Sequence, residues 1–327
     1  ALIHPPAEYT ELWLLGFSML VYLGWSIVSI PYLAWSAEIT SEYHEKTRLS
    51  AAREVFTILG VLAALLIPYL YNVSESADKS LSILYIAFVI ALFIMLPVTL
   101  IGTGEGSVKS SKYVTFKELK RLWEKIPSLC RLQSAFILNS LANALPATLF
   151  LFYVQLVLEE ESKTGPLLLL YFASGIVGLP FWTMLAKKIG KRNSWLSSMV
   201  LASTAFVFVP FLGSGDLAFF ALITFVSGLS LGADMALPSS IQADVVQKVQ
   251  DQKASYAGIL FGIWAMLTKF ALALAVGLGF VILGMVGFEP EAPTPLALNT
   301  LALLYGGAPV LFKMIAFWIM REYNEAY

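Results

Sequence analysis

Charge is what this sequence has least of. Of its 327 residues, 13% are charged and 58% are hydrophobic, with a mean hydropathy of +0.76. A water-soluble domain carries about a quarter charged residues, so this chain has half the charge needed to coat a water-facing surface. Cysteine is equally scarce. The single Cys130 excludes an internal disulfide framework and a cysteine-based metal site. The two histidines, His4 and His44, have no partner at ligand spacing, so zinc chemistry is excluded as well. No nucleophile elbow, metal-ligand helix motif or phosphate-cradling glycine loop occurs. Gly102-Thr103-Gly104-Glu105-Gly106 follows an apolar run and lacks the Lys-Ser/Thr ending, so it reads as a flexible linker. The chain is therefore not expected to be an enzyme or to hold a metal or other cofactor. A net charge of −1, with no basic patch interleaved with aromatics, gives no reason to expect a nucleic-acid partner.

What is present is apolar sequence in long runs. They fall at 12–37, 51–71, 80–102, 130–158, 166–187, 194–213, 217–245, 255–286 and 296–320. Runs near 20 residues span ~30 Å of hydrocarbon as helices. A membrane barrel would need ~10-residue segments of alternating polarity, which do not occur. The expected class is an all-α, multi-pass membrane protein with about nine spans, embedded in a lipid bilayer.

The connections alternate in charge. Those at 40–53, 103–131, 187–192 and 248–253, together with the C-terminal tail, hold seventeen of the 21 Lys and Arg residues. The connections between them hold only Lys79 and Lys163, and Lys269 and Lys313 remain within spans. By the positive-inside rule the basic side is cytoplasmic. The N-terminus is then outside and the C-terminus cytoplasmic. The first residue is Ala, and no basic n-region with a cleavage site precedes the first apolar run. Either the start was processed or residues precede it. The longest cytoplasmic loop divides the spans three to six. If it joins two equal halves, as in transporters built from repeated bundles, three further spans are expected upstream. In that loop, residues 115–123 read as a short amphipathic helix on the inner surface or as a solvated linker helix. Asn72-Val73-Ser74 matches a glycosylation sequon, a weak pattern.

Ionisable residues inside spans are the candidates for function, because each costs at least ~2.5–3.5 kcal/mol at the bilayer centre unless it faces protein or water. Lys269 lies roughly 21 Å along its helix from the cytoplasmic start, and Asp234 roughly 16 Å along its own, at 1.5 Å per residue. The two are expected to pair or to share a polar cavity. Lys313, closer to a helix end, is expected to snorkel. Arg53 either snorkels or turns inward and forks onto hydroxyls or a carboxylate. Asn139 and Asn143, one turn apart, form a polar stripe that glues helices or lines a cavity. Gly258-x-x-x-Gly262 and Ala271-x-x-x-Ala275-x-x-x-Gly279 are small-residue patterns for close helix approach. Pro31, Pro146, Pro180, Pro210, Pro238 and Pro309 interrupt spans.

The stretch from Trp25 to Arg53 is a charged hairpin between two apolar helices. Pro31-Tyr32-x-Ala34-x-x-x-Glu38-Ile39-Thr40-x-x-Tyr43-x-Glu45-Lys46-Thr47-Arg48-Leu49, with Arg53 beyond, resembles the glycoside–pentoside–hexuronide cation symporters. These are the melibiose-permease relatives within the major facilitator superfamily. Lys187-Lys188-Ile189-Gly190-Lys191-Arg192 resembles that family's connection between helices eight and nine. Gly232-Ala233-Asp234-x-Ala236-Leu237-Pro238 through Gln242-Ala243-Asp244-Val245-Val246 resembles helix ten. Gly258-x-x-Phe261-x-x-Trp264-x-x-x-Thr268-Lys269-x-Ala271-x-Ala273-Leu274 resembles helix eleven.

The resemblance implies a major-facilitator helical bundle with helices four to twelve of twelve present. Residues 1–102 would be the remainder of the N-terminal bundle, 103–129 the cytoplasmic linker and 130–327 the C-terminal six-helix bundle. It implies that Arg53 and Lys269 line the solute and cation region. Asp234, Asn139, Asn143, Tyr32 and Trp264 join them as candidate contacts, with Glu38, Glu45, Arg48 and Asp244 forming a cytoplasmic gate. The implied function is cation-coupled symport of a sugar or related small polar solute by alternating access, in a monomer of the cell inner membrane. The coupling ion would be a proton or sodium, its aspartates lying mostly upstream, so the nine spans alone are not expected to transport. Two departures limit the match. Ser29 stands where the melibiose permease has an aspartate, so sodium coupling and galactoside specificity do not carry over. Gln247-Lys248-Val249-Gln250-Asp251-Gln252 replaces a tyrosine-acidic run after Asp244, so the gate differs. The alternatives are a same-fold transporter of a non-sugar organic solute and a non-transporting sensor or scaffold.

Overall fold

The computed structural model of the chain describes residues 10–39, 42–70, 77–102, 120, 123–124, 126–249 and 256–323. Among them are nine helices long and apolar enough to cross a membrane, and no strand. They are α1 (Thr10–Glu38), α2 (Tyr43–Leu70), α3 (Ala77–Gly102), α4 (Pro127–Phe152), α5 (Thr164–Ile189), α6 (Lys191–Phe206), α7 (Leu217–Val249), α8 (Ala257–Met285) and α9 (Pro295–Arg321). The sequon at Asn72, most of the amphipathic stretch at 115–123 and Lys253 lie outside the described residues.

Helix bounds differ from apolar-run bounds where charge is tolerated on a helix. α2 begins at Tyr43, so Glu45, Lys46, Arg48 and Arg53 occupy its first turns rather than a loop. α7 continues to Val249, which places Asp244 inside a helix. Hydropathy marks where lipid ends, whereas backbone hydrogen bonding decides where a helix ends. Pro127 and Pro295 sit in the first helical turn of their helices, where no intrahelical N–H is lost. Gly190, at φ 86°, ends α5 and starts α6 within a single residue, a conformation only glycine adopts cheaply. α9 is interrupted by a π-helical turn, Leu303–Gly307, and a second such turn, Tyr153–Val157, follows α4.

α5 and α7 form the closest pair. A Cβ on Gly178 would lie 2.3 Å from the Leu229 carbonyl oxygen, and one on Gly228 would lie 2.4 Å from that of Tyr171. Trp182 Nε1 donates to the same Leu229 carbonyl across 2.8 Å. α4 packs on α8 and α9, and α6 on α7 and α9. α1 packs chiefly on α8, α2 on α5 and α7, and α3 on α2. One core cluster gathers around Trp195, Phe261 and Trp264 toward the basic end, and another around Tyr153, Phe220 and Tyr305 toward the opposite end.

Candidate functional site

The deepest charged pair joins α7 to α9. Lys313 Nζ lies 2.7 Å from Asp234 Oδ2, with both side chains 5% exposed. Asn143 Nδ2 donates to Oδ2 at 2.9 Å, Trp195 Nε1 donates to Oδ1 at 2.9 Å, and Lys313 also donates to Asn139 Oδ1 at 2.8 Å. Four helices thus meet on one carboxylate and one ammonium. Such a pair is stable in a dry interior only when further hydrogen bonds serve the remaining lone pairs and protons, which the two asparagines and the indole do here. The asparagine stripe does both jobs considered for it: Asn139 and Asn143 bind the pair, and Asn143 also lines a cavity. That cavity, of about 220 Å³, lies among α4, α5, α6, α7 and α9, and Asp234 and Lys313 border it.

Two expectations are corrected. Asp234 pairs with Lys313 rather than with Lys269, and Lys313 is buried rather than snorkelling. Counting turns gives depth along a helix but not the direction a side chain faces, and Lys313 faces α4 and α7.

Lys269 turns the other way. From α8 its ammonium reaches α1, donating to the Tyr22 carbonyl at 3.2 Å and to Ser26 Oγ. It stands 5.7 Å from the Tyr22 ring centroid and 5.3 Å from that of Trp25, close enough for cation–π attraction. Beside it a groove of about 450 Å³ runs between α1 and α8, lined by Ser26, Ile30, Gly262, Ala265, Met266 and Phe270. Arg53 turns inward. Its guanidinium pairs with Glu54 at 2.8 Å, and reaches Ser36 Oγ of α1 at 3.4 Å and Ser239 Oγ of α7 at 3.3 Å. Tyr32 is 43% exposed, its ring tilted toward Trp35. Trp264 is buried and stacked 3.6 Å from Phe136, so its indole packs the core rather than facing the Lys269 groove.

At the basic end, two buried lysines converge on Asp244. Lys191 Nζ is 2.5 Å from Oδ2 and Lys46 Nζ 3.5 Å from Oδ1. Lys46 also donates to the Ala243 carbonyl at 3.3 Å and to Gln247 Oε1, and Thr47 Oγ1 meets Ser240 Oγ at 3.0 Å. Glu45 and Arg48 are exposed, and the Glu38 side chain lies outside the described residues. Of the four residues expected at a cytoplasmic gate, Asp244 is thus ion-paired, and its cations are Lys46 and Lys191. The signal for Lys191 was its place directly after Gly190, where the chain reverses and turns the side chain back under α7. Among the described residues no cluster of three His, Cys, Asp or Glu side chains could hold a metal.

A bundle of nine long apolar helices that holds its buried charge in internal pairs and beside polar cavities is the architecture of a multi-pass membrane protein. The chain belongs to the MFS/sugar transport protein family, whose pattern it matches over residues 1–324. It is 23% identical to a sodium-dependent lysophosphatidylcholine symporter 1-A of Danio rerio, over 98% of this chain and 68% of that protein. It is 24% identical to a glucuronide carrier protein homolog of Escherichia coli K12, over 94% of this chain and 69% of that protein. It is also 21% identical to a sphingosine-1-phosphate transporter of Xenopus tropicalis, over 95% and 68%. The chain thus spans about two thirds of the length of these relatives. They are transporters and carriers, and this protein is a transporter rather than an enzyme.

Proposed function

We propose that the protein is a cation-coupled symporter that moves an organic solute bearing an anionic group by alternating access. Its nine spans would correspond to helices four to twelve of the twelve-helix architecture, with α1–α3 in one bundle and α4–α9 in the other. The basic end would face the cytoplasm of a cell inner membrane. The observation that carries this reading is Lys269. An ammonium deep in an apolar span, bridged by Ser26, Tyr22 and Trp25 across the seam between α1 and α8, costs several kcal/mol to maintain there. An anion would compete well for its hydrogen bonds. The Lys46–Asp244 pair and the Thr47–Ser240 contact cross the seam between α2 and α7, which suits a gate that closes one side while the other opens.

Two solute classes follow from the relatives. A glucuronide carries a carboxylate on a sugar, and lysophosphatidylcholine carries an anionic phosphodiester, linked to a cationic choline, on a glycerol that bears one acyl chain. The apolar groove beside Lys269, with Ile30, Met266 and Phe270 on its walls, favours a solute with a substantial apolar body. The experiment is uptake into proteoliposomes containing the full-length protein. Labelled p-nitrophenyl glucuronide and lysophosphatidylcholine would be compared under sodium or proton gradients. Gradient-driven uptake of either is the expected result, and uptake of neither under any gradient overturns the reading in favour of a sensor or scaffold.

A further inference from the structure

The cavity within α4–α7 and α9 holds more hydrogen-bonding capacity than the fold consumes. Lys313 has three N–H donors and uses two, on Asn139 and Asp234. Asn143 uses one amide proton on Asp234. Among the described residues its Oδ1 has no hydrogen-bond partner, and neither has the phenol oxygen of Tyr171 or Tyr305, both of which line the cavity. The buried side-chain polar atoms sealed off without a partner are Gln133 Nε2, Ser203 Oγ and Gln242 Oε1. Asn143, Tyr171 and Tyr305 are not among these sealed atoms, and all three side chains line the cavity. Thr224, Ser227 and Ser230 donate to carbonyls of their own helix, leaving their lone pairs as acceptors.

Three features restrict what could use this capacity. First, Asp234 and Lys313 are the charged residues that border the cavity, and they neutralise one another. A ligand with net charge would enter a low-dielectric space with no counter-charge left to meet it. Second, the open groups include donors and acceptors in a small volume, and hydroxyls supply both. Third, the space is about 220 Å³, roughly seven times the ~30 Å³ share of one water, and Phe150, Phe172, Phe206 and Leu168 give it apolar walls. The wall carrying Tyr305 is held in place. Its ring stacks on Tyr153 at 4.3 Å and 11°, and the Tyr153 hydroxyl donates to the Val209 carbonyl at 2.8 Å. Tyr305 lies on the π-helical turn of α9, a distortion found often at functional sites.

We propose that this cavity is a binding site for a small, net-neutral, hydroxyl-rich molecule, separate from the Lys269 groove. The site is built from five helices and needs neither α1 nor the seam, so it stands or falls independently of the transport reading.

The test uses the chain in lipid nanodiscs, with Cys130→Ser removing the native thiol. Ser227→Cys, and separately Ser230→Cys, places a thiol on the cavity wall for a small hydrophilic methanethiosulfonate reagent. myo-Inositol serves as the neutral polyol probe, glycine betaine as the zwitterion and glucuronate as the anion. The expected result is saturable protection by myo-inositol at both positions, with little from the other two, unchanged by Lys269→Gln. Tyr171→Phe and Tyr305→Phe keep the rings and remove the hydroxyls. Each should weaken protection about tenfold, the worth of one neutral hydrogen bond, without lowering the melting temperature. Absence of myo-inositol protection at both cysteines overturns the proposal, as does equal protection by glucuronate. Loss of protection in Lys269→Gln overturns the separation of the two sites.

Discussion

Lys313 of α9 and Asp234 of α7 meet at 2.7 Å, each nearly sealed from solvent, and the other side chains hydrogen-bonded to them come from α4 and α6. The pair is the point where four helices of the bundle are held in one register. Removing one partner leaves the other buried and unbalanced. Lys313→Met or Asp234→Asn alone should destabilise the bundle by about 3–5 kcal/mol, read as a lower melting temperature in detergent. The double variant Asp234→Asn/Lys313→Met removes both charges and should recover most of that loss. A double variant as unstable as the sum of the singles would mean the two residues do not act as a pair.

Lys269 differs in kind because its partners are a main-chain carbonyl, a hydroxyl and two aromatic faces rather than a carboxylate. Lys269→Gln leaves no buried counter-charge behind, so the melting temperature should barely move. Apparent affinity for the solute should fall about 10–100-fold, the worth of one hydrogen bond to a charged group at ~1.5–3 kcal/mol. Lys269→Arg should recover part of it. Wild-type uptake kinetics in Lys269→Gln would remove Lys269 from the solute path.

These two lysines show how far a sequence can be read. Span number was legible because hydrocarbon thickness forces apolar runs of a certain length, and nothing in a helix hides them. The charges buried in the bundle were legible too, since a charge inside such a run is conspicuous. Partners were not. Asp234 and Lys269 lie on consecutive helices at similar depth, yet Asp234 faces Lys313 inside the bundle while Lys269 faces α1. Lys313 reaches Asp234 from a helix whose rotation is set by packing and by the π-helical turn at Leu303–Gly307. The Asp244 cluster shows the same limit: Asp244 stood out, but the cations that reach it, Lys46 and Lys191, sit among other basic residues.

The α5–α7 contact should tolerate no added atoms. A methyl on Gly178 would meet the Leu229 carbonyl at 2.3 Å, and one on Gly232 the Leu179 nitrogen at 2.7 Å. These neighbours are main chain and cannot rotate away. Gly178→Ala and Gly232→Ala should each cost at least the ~1–3 kcal/mol typical of overpacking, seen as reduced melting temperature and yield. Gly258→Ala meets nothing within 4 Å and should be neutral. That outcome would assign the close backbone approach to α5–α7, not to the Gly258-x-x-x-Gly262 pattern.

Thr47 and Ser240 offer a direct test of whether the basic end opens. Their hydroxyl oxygens are 3.0 Å apart across the α2–α7 contact, a spacing compatible with the Cβ–Cβ separation of about 3.5–4.5 Å that a disulfide requires. Thr47→Cys/Ser240→Cys in the Cys130→Ser background should cross-link on mild oxidation. In the proposed alternating-access cycle α2 and α7 would part here, breaking the Lys46–Asp244 pair as they do. Oxidation should therefore abolish uptake and reduction should restore it, while the cross-linked protein melts at the same temperature or higher. Uptake that persists in fully cross-linked protein would make this contact a permanent part of the fold. The moving seam would then have to run elsewhere, and the α1–α8 contact bridged by Lys269 would be the remaining candidate.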